Sequence, residues 1–199
     1  MKADEAAELM DADAARDVFK QRAAVCIAFF AMVLAICGLG GSNAGKDATM
    51  NNILAANFYN FYQAKSIRQT SLRLAADVIE VGRLTDPALP EATRMALQKT
   101  LDGYKADIQR YESEPSTNEG KKELLARAKE HEQIRDHALK QDPYFDYAEA
   151  LLQIAIVLIS VSIIATLPWL AIFGGVVGLV GVVLTVNGYL LLVSIPGLG

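Results

Sequence analysis

Phe61-Tyr62-Gln63 with Lys65, Ser66 and Arg68 bring aromatic, amide, hydroxyl and cationic groups into one short run. On a helix Lys65 stands one turn beyond Phe61 and Tyr62, so its ammonium can rest on either ring as a cation–π contact. That chemistry recognises rather than makes bonds. It describes a contact patch or, more plainly, a packed helix face crossed by an amphipathic lysine stem. His131 and His137 are the two histidines. Their spacing puts them on different helix faces, so they do not form the i,i+4 pair that a helical zinc site uses. The sequence holds no Gly-x-Ser-x-Gly, phosphate loop, His-Glu-x-x-His or Cys-x-x-Cys, the patterns that place a nucleophile, a phosphate or a metal. We therefore expect no catalytic residues, no metal, no cofactor and no small-molecule substrate. The remaining polar candidates, Glu149, Gln153 and Asn187, sit in or beside the most apolar part of the chain.

That part dictates the architecture. From Ala150 to Gly199 there is no Asp, Glu, Lys or Arg. This is room for two spans, since one crossing takes about 20 apolar residues. Pro168 marks the break, because proline disfavours a helical residue before it and lacks an N–H. Trp169 beside it suits a membrane–water boundary. The expected transmembrane hairpin is 148–167 and 170–193. In its second arm Gly174, Gly178, Gly181, Thr185 and Gly188 alternate four and three apart, a seam of small residues on one face. In lipid such a seam marks close helix–helix packing, either within the chain or between copies. Asn187 and Glu149 lie equally far from Pro168, so Asn187 is expected level with Glu149 and Gln153 as an intramembrane polar contact. Hydrogen bonds of that kind contribute about 0.6 kcal/mol on average.

Residues 1–22 are charged and Ala-rich, a lead-in helix by propensity. A charge-free run between Arg22 and Lys46 supplies a first span at 23–41, ending in Gly38-Leu39-Gly40-Gly41-Ser42. A signal peptide cleaved near Ser42-Asn43-Ala44 is the rival, but the leading segment is acidic and the apolar body long for a signal core. Cys26 and Cys37 lie in this run; about 16 Å apart on one helix face, they cannot pair within the chain.

Residues 46–147 carry most of the charge and no alternating strand pattern. Thr49–Val81 reads as one helix with an apolar stripe at Leu54, Phe58, Phe61, Leu72, Ala75 and Ile79, widened by Ile67, Leu74 and Val78. Gly82 and the turn Asp86–Pro90 should end it. Glu91–Ser113 follows, with Leu97, Leu101, Tyr104, Ile108 and Tyr111 in a coiled-coil-like seam. A third helix over Glu119–Gln141 should kink or break at Asp142-Pro143, with Tyr144, Phe145 and Tyr147 as an aromatic belt. The fold class is all-α: three transmembrane helices with a helical bundle or coiled-coil region between the first and second. Net charge of −4 makes nucleic acid an unsuitable partner. Arg16, Lys20 and Arg22 flank the first span and vote for a cytoplasmic N-terminus, with 46–147 on the other side.

The stretch Phe58-Tyr59-Asn60-Phe61-Tyr62-Gln63-Ala64-Lys65-Ser66-Ile67-Arg68 and the run Phe145-Asp146-Tyr147-Ala148-Glu149-Ala150-Leu151-Leu152-Gln153-Ile154-Ala155-Ile156 resemble an uncharacterised bacterial membrane-protein family, domain of unknown function 4337. The resemblance covers nearly the whole chain. It implies an anchor helix, a charged helical region and a closing two-span hairpin in a bacterial inner (cytoplasmic) membrane, which makes 46–147 periplasmic. It implies no activity. The expected function is a non-enzymatic helical scaffold in the lipid bilayer, a homo-oligomer or a subunit held by another membrane protein. The alternative is an oligomeric channel or transporter subunit with the Gly-rich third span near the conduction path.

Overall fold

Without a proline before position 87, the first part of the chain has nothing that must stop a helix, and it does not stop. The computed structural model describes residues 3–86 and 88–195, with side chains from residue 14 onward. Met1, Lys2, the acidic side chains of the lead-in segment up to Asp13, and Pro87 of the expected turn lie outside the described residues. Helix α1 runs Ala3–Thr85, α2 Glu91–Glu112, α3 Lys121–Ala165 and α4 Pro168–Leu190. Among the described residues there is no strand. Helices α1, α3 and α4 are long and apolar enough to cross a membrane.

Three expected boundaries are corrected. The helix break expected between Gly38–Ser42 and Thr49 is absent, because α1 is one continuous helix of 83 residues; it passes Gly82 and ends at Thr85, beside the expected turn. Interior glycine costs only about 1 kcal/mol relative to alanine, and here glycine permits close approach. A Cβ on Gly40 would lie 2.6 Å from the Phe145 ring, and one on Gly41 would lie 3.2 Å from Phe145 Cβ. At about 1.5 Å per residue α1 is roughly 125 Å long, against a bilayer core of about 30 Å; most of it lies outside any bilayer it crosses. The second correction is at Asp142-Pro143, where α3 continues with Pro143 inside it. Proline removes one backbone hydrogen bond, and the burial of Tyr144 and Phe145 immediately after it holds the chain helical against that loss. The third is the hairpin turn. Ala165 ends α3, Thr166 takes a left-handed conformation (φ 53°), and Pro168 opens α4 at its first turn, the position where a missing N–H is harmless. Leu191, also left-handed at φ 47°, ends α4.

The chain divides into two units, Met1–Ala48 with Asp136–Gly199, and Thr49–Arg135. In the first, α1, α3 and α4 pack around Phe30, Cys37, Phe145, Leu152 and Ile159. In the second, α2 runs antiparallel to α1, tied by Lys105–Glu80 at 2.7 Å, and the start of α3 returns along α1 through Tyr59–Glu132 and Asn51–His131.

Candidate functional site

The small-residue seam of α4 is buried along its whole length: Gly174, Gly178, Gly181, Thr185 and Gly188. Its neighbours belong to the same chain. A Cβ on Gly174 would stand 2.9 Å from Ile159, one on Gly181 2.8 Å from Leu152, and one on Gly188 2.9 Å from the Phe145 ring. A Cβ on Gly178 would overlap the Phe30 ring. Thr185 closes its hydroxyl on the Gly181 carbonyl at 2.9 Å. The alternation of glycine on α4 with Phe30, Phe145, Leu152 and Ile159 opposite is the knob-and-notch packing that lipid-embedded helices need, where water exclusion supplies no drive.

Asn187 does not make the hydrogen bond expected with Glu149 or Gln153. Gln153 donates to Glu149 at 3.0 Å within α3, while Asn187 turns to the other side of the helix end. Its amide nitrogen donates to Val193 O at 2.8 Å and its oxygen accepts from Val193 N–H at 2.9 Å. Tyr144 joins them, donating to Val193 O and accepting from Ile195 N–H. The amide therefore fastens the segment after α4 to the helix end, while the Leu191 N–H closes the helix on the Asn187 carbonyl at 2.7 Å. Equal spacing about a turn fixes height, not rotation about the helix axis, so it could not identify the partner.

The aromatic–cationic patch splits in two. Phe61, Gln63 and Arg68 are exposed; Tyr62, Lys65 and Ser66 are partly covered. The expected contact of Lys65 with Phe61 or Tyr62 is replaced by contacts between helices. Lys65 stands over the Tyr111 ring at 5.6 Å and pairs with Glu119 at 3.5 Å, and Lys121 stands over Tyr62 at 5.3 Å. The residue that organises them is Gln69, which is 2 % exposed and which the sequence analysis did not single out. Its amide nitrogen donates to Ile108 O at 2.9 Å and to Glu112 at 3.1 Å, and its oxygen accepts from Lys121 at 3.0 Å. The Gln69 hydrogen bond is the main cause that holds the Glu112 carboxyl below the usual carboxylate range, with Lys121 adding to it. Ser113 does the same for Glu123, donating at 2.6 Å. On the far side of this unit Tyr59 donates to Glu132 at 2.9 Å, which raises its phenol above the usual value, and His131 stacks on Phe58 and bonds Asn51 at 2.7 Å. Tyr59, Tyr62, Lys65, Gln69 and His131 of this paragraph are engaged in holding helices together.

The broad apolar stripe expected on this part of α1 is two stripes on opposite faces. Gln69 and Ala76 are buried with Leu72 and Ile79 beside them, whereas Ile67, Leu74, Val78 and Val81 remain 58–72 % exposed. At 100° per residue these last four fall within a narrow sector opposite Gln69 and Ala76, with Ile53, 52 % exposed, on the same side. No sign in the sequence distinguishes the covered line from the open one.

Among the described residues the protein is all-helical, with three helices long and apolar enough to cross a membrane. A family model described as Domain of unknown function (DUF4337) matches residues 19–191, and the chain belongs to that family. No curated protein and no solved structure matches it.

Proposed function

We propose that this is a non-enzymatic integral membrane protein that works as a helical scaffold, associating with a second copy or with another membrane protein through the open face of α1. The observation that carries this is the line Ile67, Leu74, Val78, Val81, apolar, exposed and spaced as a coiled-coil seam. Ser71 takes the seam position between Ile67 and Leu74, and soluble surfaces seldom leave an apolar line of this kind without a partner. Tyr59, Lys65, Glu112, Glu119 and Glu132 of the second unit are engaged in its internal hydrogen bonds and ion pairs, which supports contact rather than chemistry as its task. Size analysis in mild detergent tests it. The full-length protein elutes as an oligomer, and Leu74→Lys with Val78→Lys reduces it to a monomer with unchanged helicity. A wild-type monomer that no other membrane protein accompanies, or an oligomer indifferent to both lysines, overturns it.

The same proposal orients the chain in a bacterial inner membrane with the N-terminus cytoplasmic and 46–147 periplasmic, on the flanking cations Arg16, Lys20 and Arg22. Lys105→Cys in a cysteine-free background is then labelled by an impermeant maleimide in cells whose outer membrane alone is opened. Labelling only after the inner membrane is breached reverses the orientation.

A further inference from the structure

Residues 50–85 of α1 carry two heptad lines, and the second unit covers only one of them. The covered line runs through positions 51, 55, 58, 62, 65, 69, 72, 76 and 79, none of which is exposed. The start of α3 reaches it through His131 on Asn51, and α2 through the Ile108 carbonyl on Gln69. The open line runs through 50, 53, 57, 60, 64, 67, 71, 74, 78, 81 and 85, all of them exposed. Both lines keep the alternation of three and four that a coiled coil uses. At 100° per residue they lie, level for level, on nearly opposite sides of the helix. The helices that bury the first line therefore leave the second clear.

The open line has the composition of a coiled-coil core. One of its rows is Ile53, Asn60, Ile67, Leu74 and Val81, and the other is Met50, Asn57, Ala64, Ser71 and Val78. None of these is charged, although six charged residues occupy other positions of 50–85. With the second row at heptad position a and the first at d, Asn57 is a core asparagine. An asparagine at a holds a coiled coil to one register and to two strands, at some cost in stability. Ala64 and Ser71, in the same row, let two helices approach closely.

We infer that this line is covered by the same line of one second copy, parallel and in register, as a two-stranded coiled coil. The inference rests on the proposed scaffold reading and names its partner. Three features select the copy. Helix α1 is unbroken from 23–41 into the seam, so two copies that cross one bilayer reach it in the same direction and at the same residue. A two-fold contact of that kind is complementary to itself. Charge agrees: a parallel pair sets Gln63 beside the partner's Arg68 and Asp77 beside the partner's Gly82, and no two like charges meet across the seam. The size suffices as well. A strip about 50 Å long and about 10 Å wide on each copy amounts to about 1,000 Å² in all, where specific interfaces begin.

The test is disulfide cross-linking of the full-length protein in membranes, beside light scattering in mild detergent. Exposed Cys26 is replaced by alanine, and buried Cys37 stays in place. Ile67→Cys, Leu74→Cys and Val81→Cys, made singly on the exposed face, each convert most of the chain to a disulfide-linked dimer, because facing core positions lie within disulfide reach. Arg73→Cys, exposed but off the seam, gives almost none. Light scattering gives the mass of two chains. An antiparallel pair would let at most one of the three seam cysteines join its own counterpart, and that overturns the inference. So does a mass above two chains, or an Arg73→Cys cross-link as efficient as that of Leu74→Cys. A partner of another kind leaves all three seam cysteines unlinked while Leu74→Lys with Val78→Lys still dissolves the assembly; this inference then falls and the scaffold stands. A monomer without any partner, or an assembly indifferent to those lysines, removes both.

Discussion

The two units solve the same problem, holding three helices together, with opposite materials. The unit of Met1–Ala48 and Asp136–Gly199 uses absence of side chain: Gly40, Gly41, Gly174, Gly178, Gly181 and Gly188 receive Phe30, Phe145, Leu152 and Ile159. The unit of Thr49–Arg135 uses long polar side chains: Gln69, Lys65, Lys121, Glu112 and Tyr111 bridge α1 to α2 and α3. The contrast is the one that the proposed placement, the first unit in lipid and the second in water, calls for. In lipid, apolar area separates no better from tails than from another helix, so only close contact is distinctive. In water, amphipathic stems cover apolar surface while their heads keep hydrogen bonds. One unit thus depends on shape and the other on a network, and each is vulnerable in its own way.

Shape should break hardest. Gly178→Leu drives a side chain into the Phe30 ring, and overpacking costs about 1–3 kcal/mol. Thermal unfolding in detergent should show the full loss for Gly178→Leu and next to none for Gly175→Leu, whose Cβ meets open space. Equal losses would mean that the seam is not packed as described. The network should break more mildly and elsewhere. Gln69→Leu leaves the Ile108 carbonyl and Lys121 without their amide partner, a cost of about 1–2 kcal/mol. Hydrogen exchange should rise in α2 and at the start of α3 and stay unchanged across 150–190. Faster exchange spread evenly over both units would erase the distinction between them.

The smallest effect is with pH, and it too should fall on one unit. Glu112 and Glu123 have folded values below their ordinary ones, so they bind protons more readily unfolded than folded. The stability they contribute is complete above the ordinary carboxylate range and is lost as pH falls through it toward the lower folded values. Both carboxylates are close to solvent, so the change is modest. Melting followed from neutral pH down through the carboxylate range should shift for the second unit first, and Glu112→Gln should flatten that shift. A shift appearing on the alkaline side instead would contradict the sign.

How much was legible earlier varies with range. The three apolar segments, the helical class and the small-residue face of α4 are local patterns, visible as composition and period. Gln69 was not visible, since a lone glutamine beside an apolar stripe looks the same in solvent or in the core. Nor was the continuity of α1: Gly38–Ser42 has the composition of a terminator, but the residue that uses Gly40 and Gly41, Phe145, lies a hundred positions on.

Sequence alone determined that this chain is helical, that 23–41 and the charge-free stretch after Glu149 suit a bilayer, and that one line of α4 is built for close contact. Each of those follows from what a residue does to its own few neighbours. Tertiary structure alone decided that α1 is unbroken, that Phe30, Leu152 and Phe145 fill the glycine line, that Asn187 closes on Val193, and that Ile67–Val81 faces outward while Gln69 faces in. A period fixes which residues share a face; it carries no information about which distant residue covers that face. That choice is made by shape and hydrogen bonding between segments far apart in the chain.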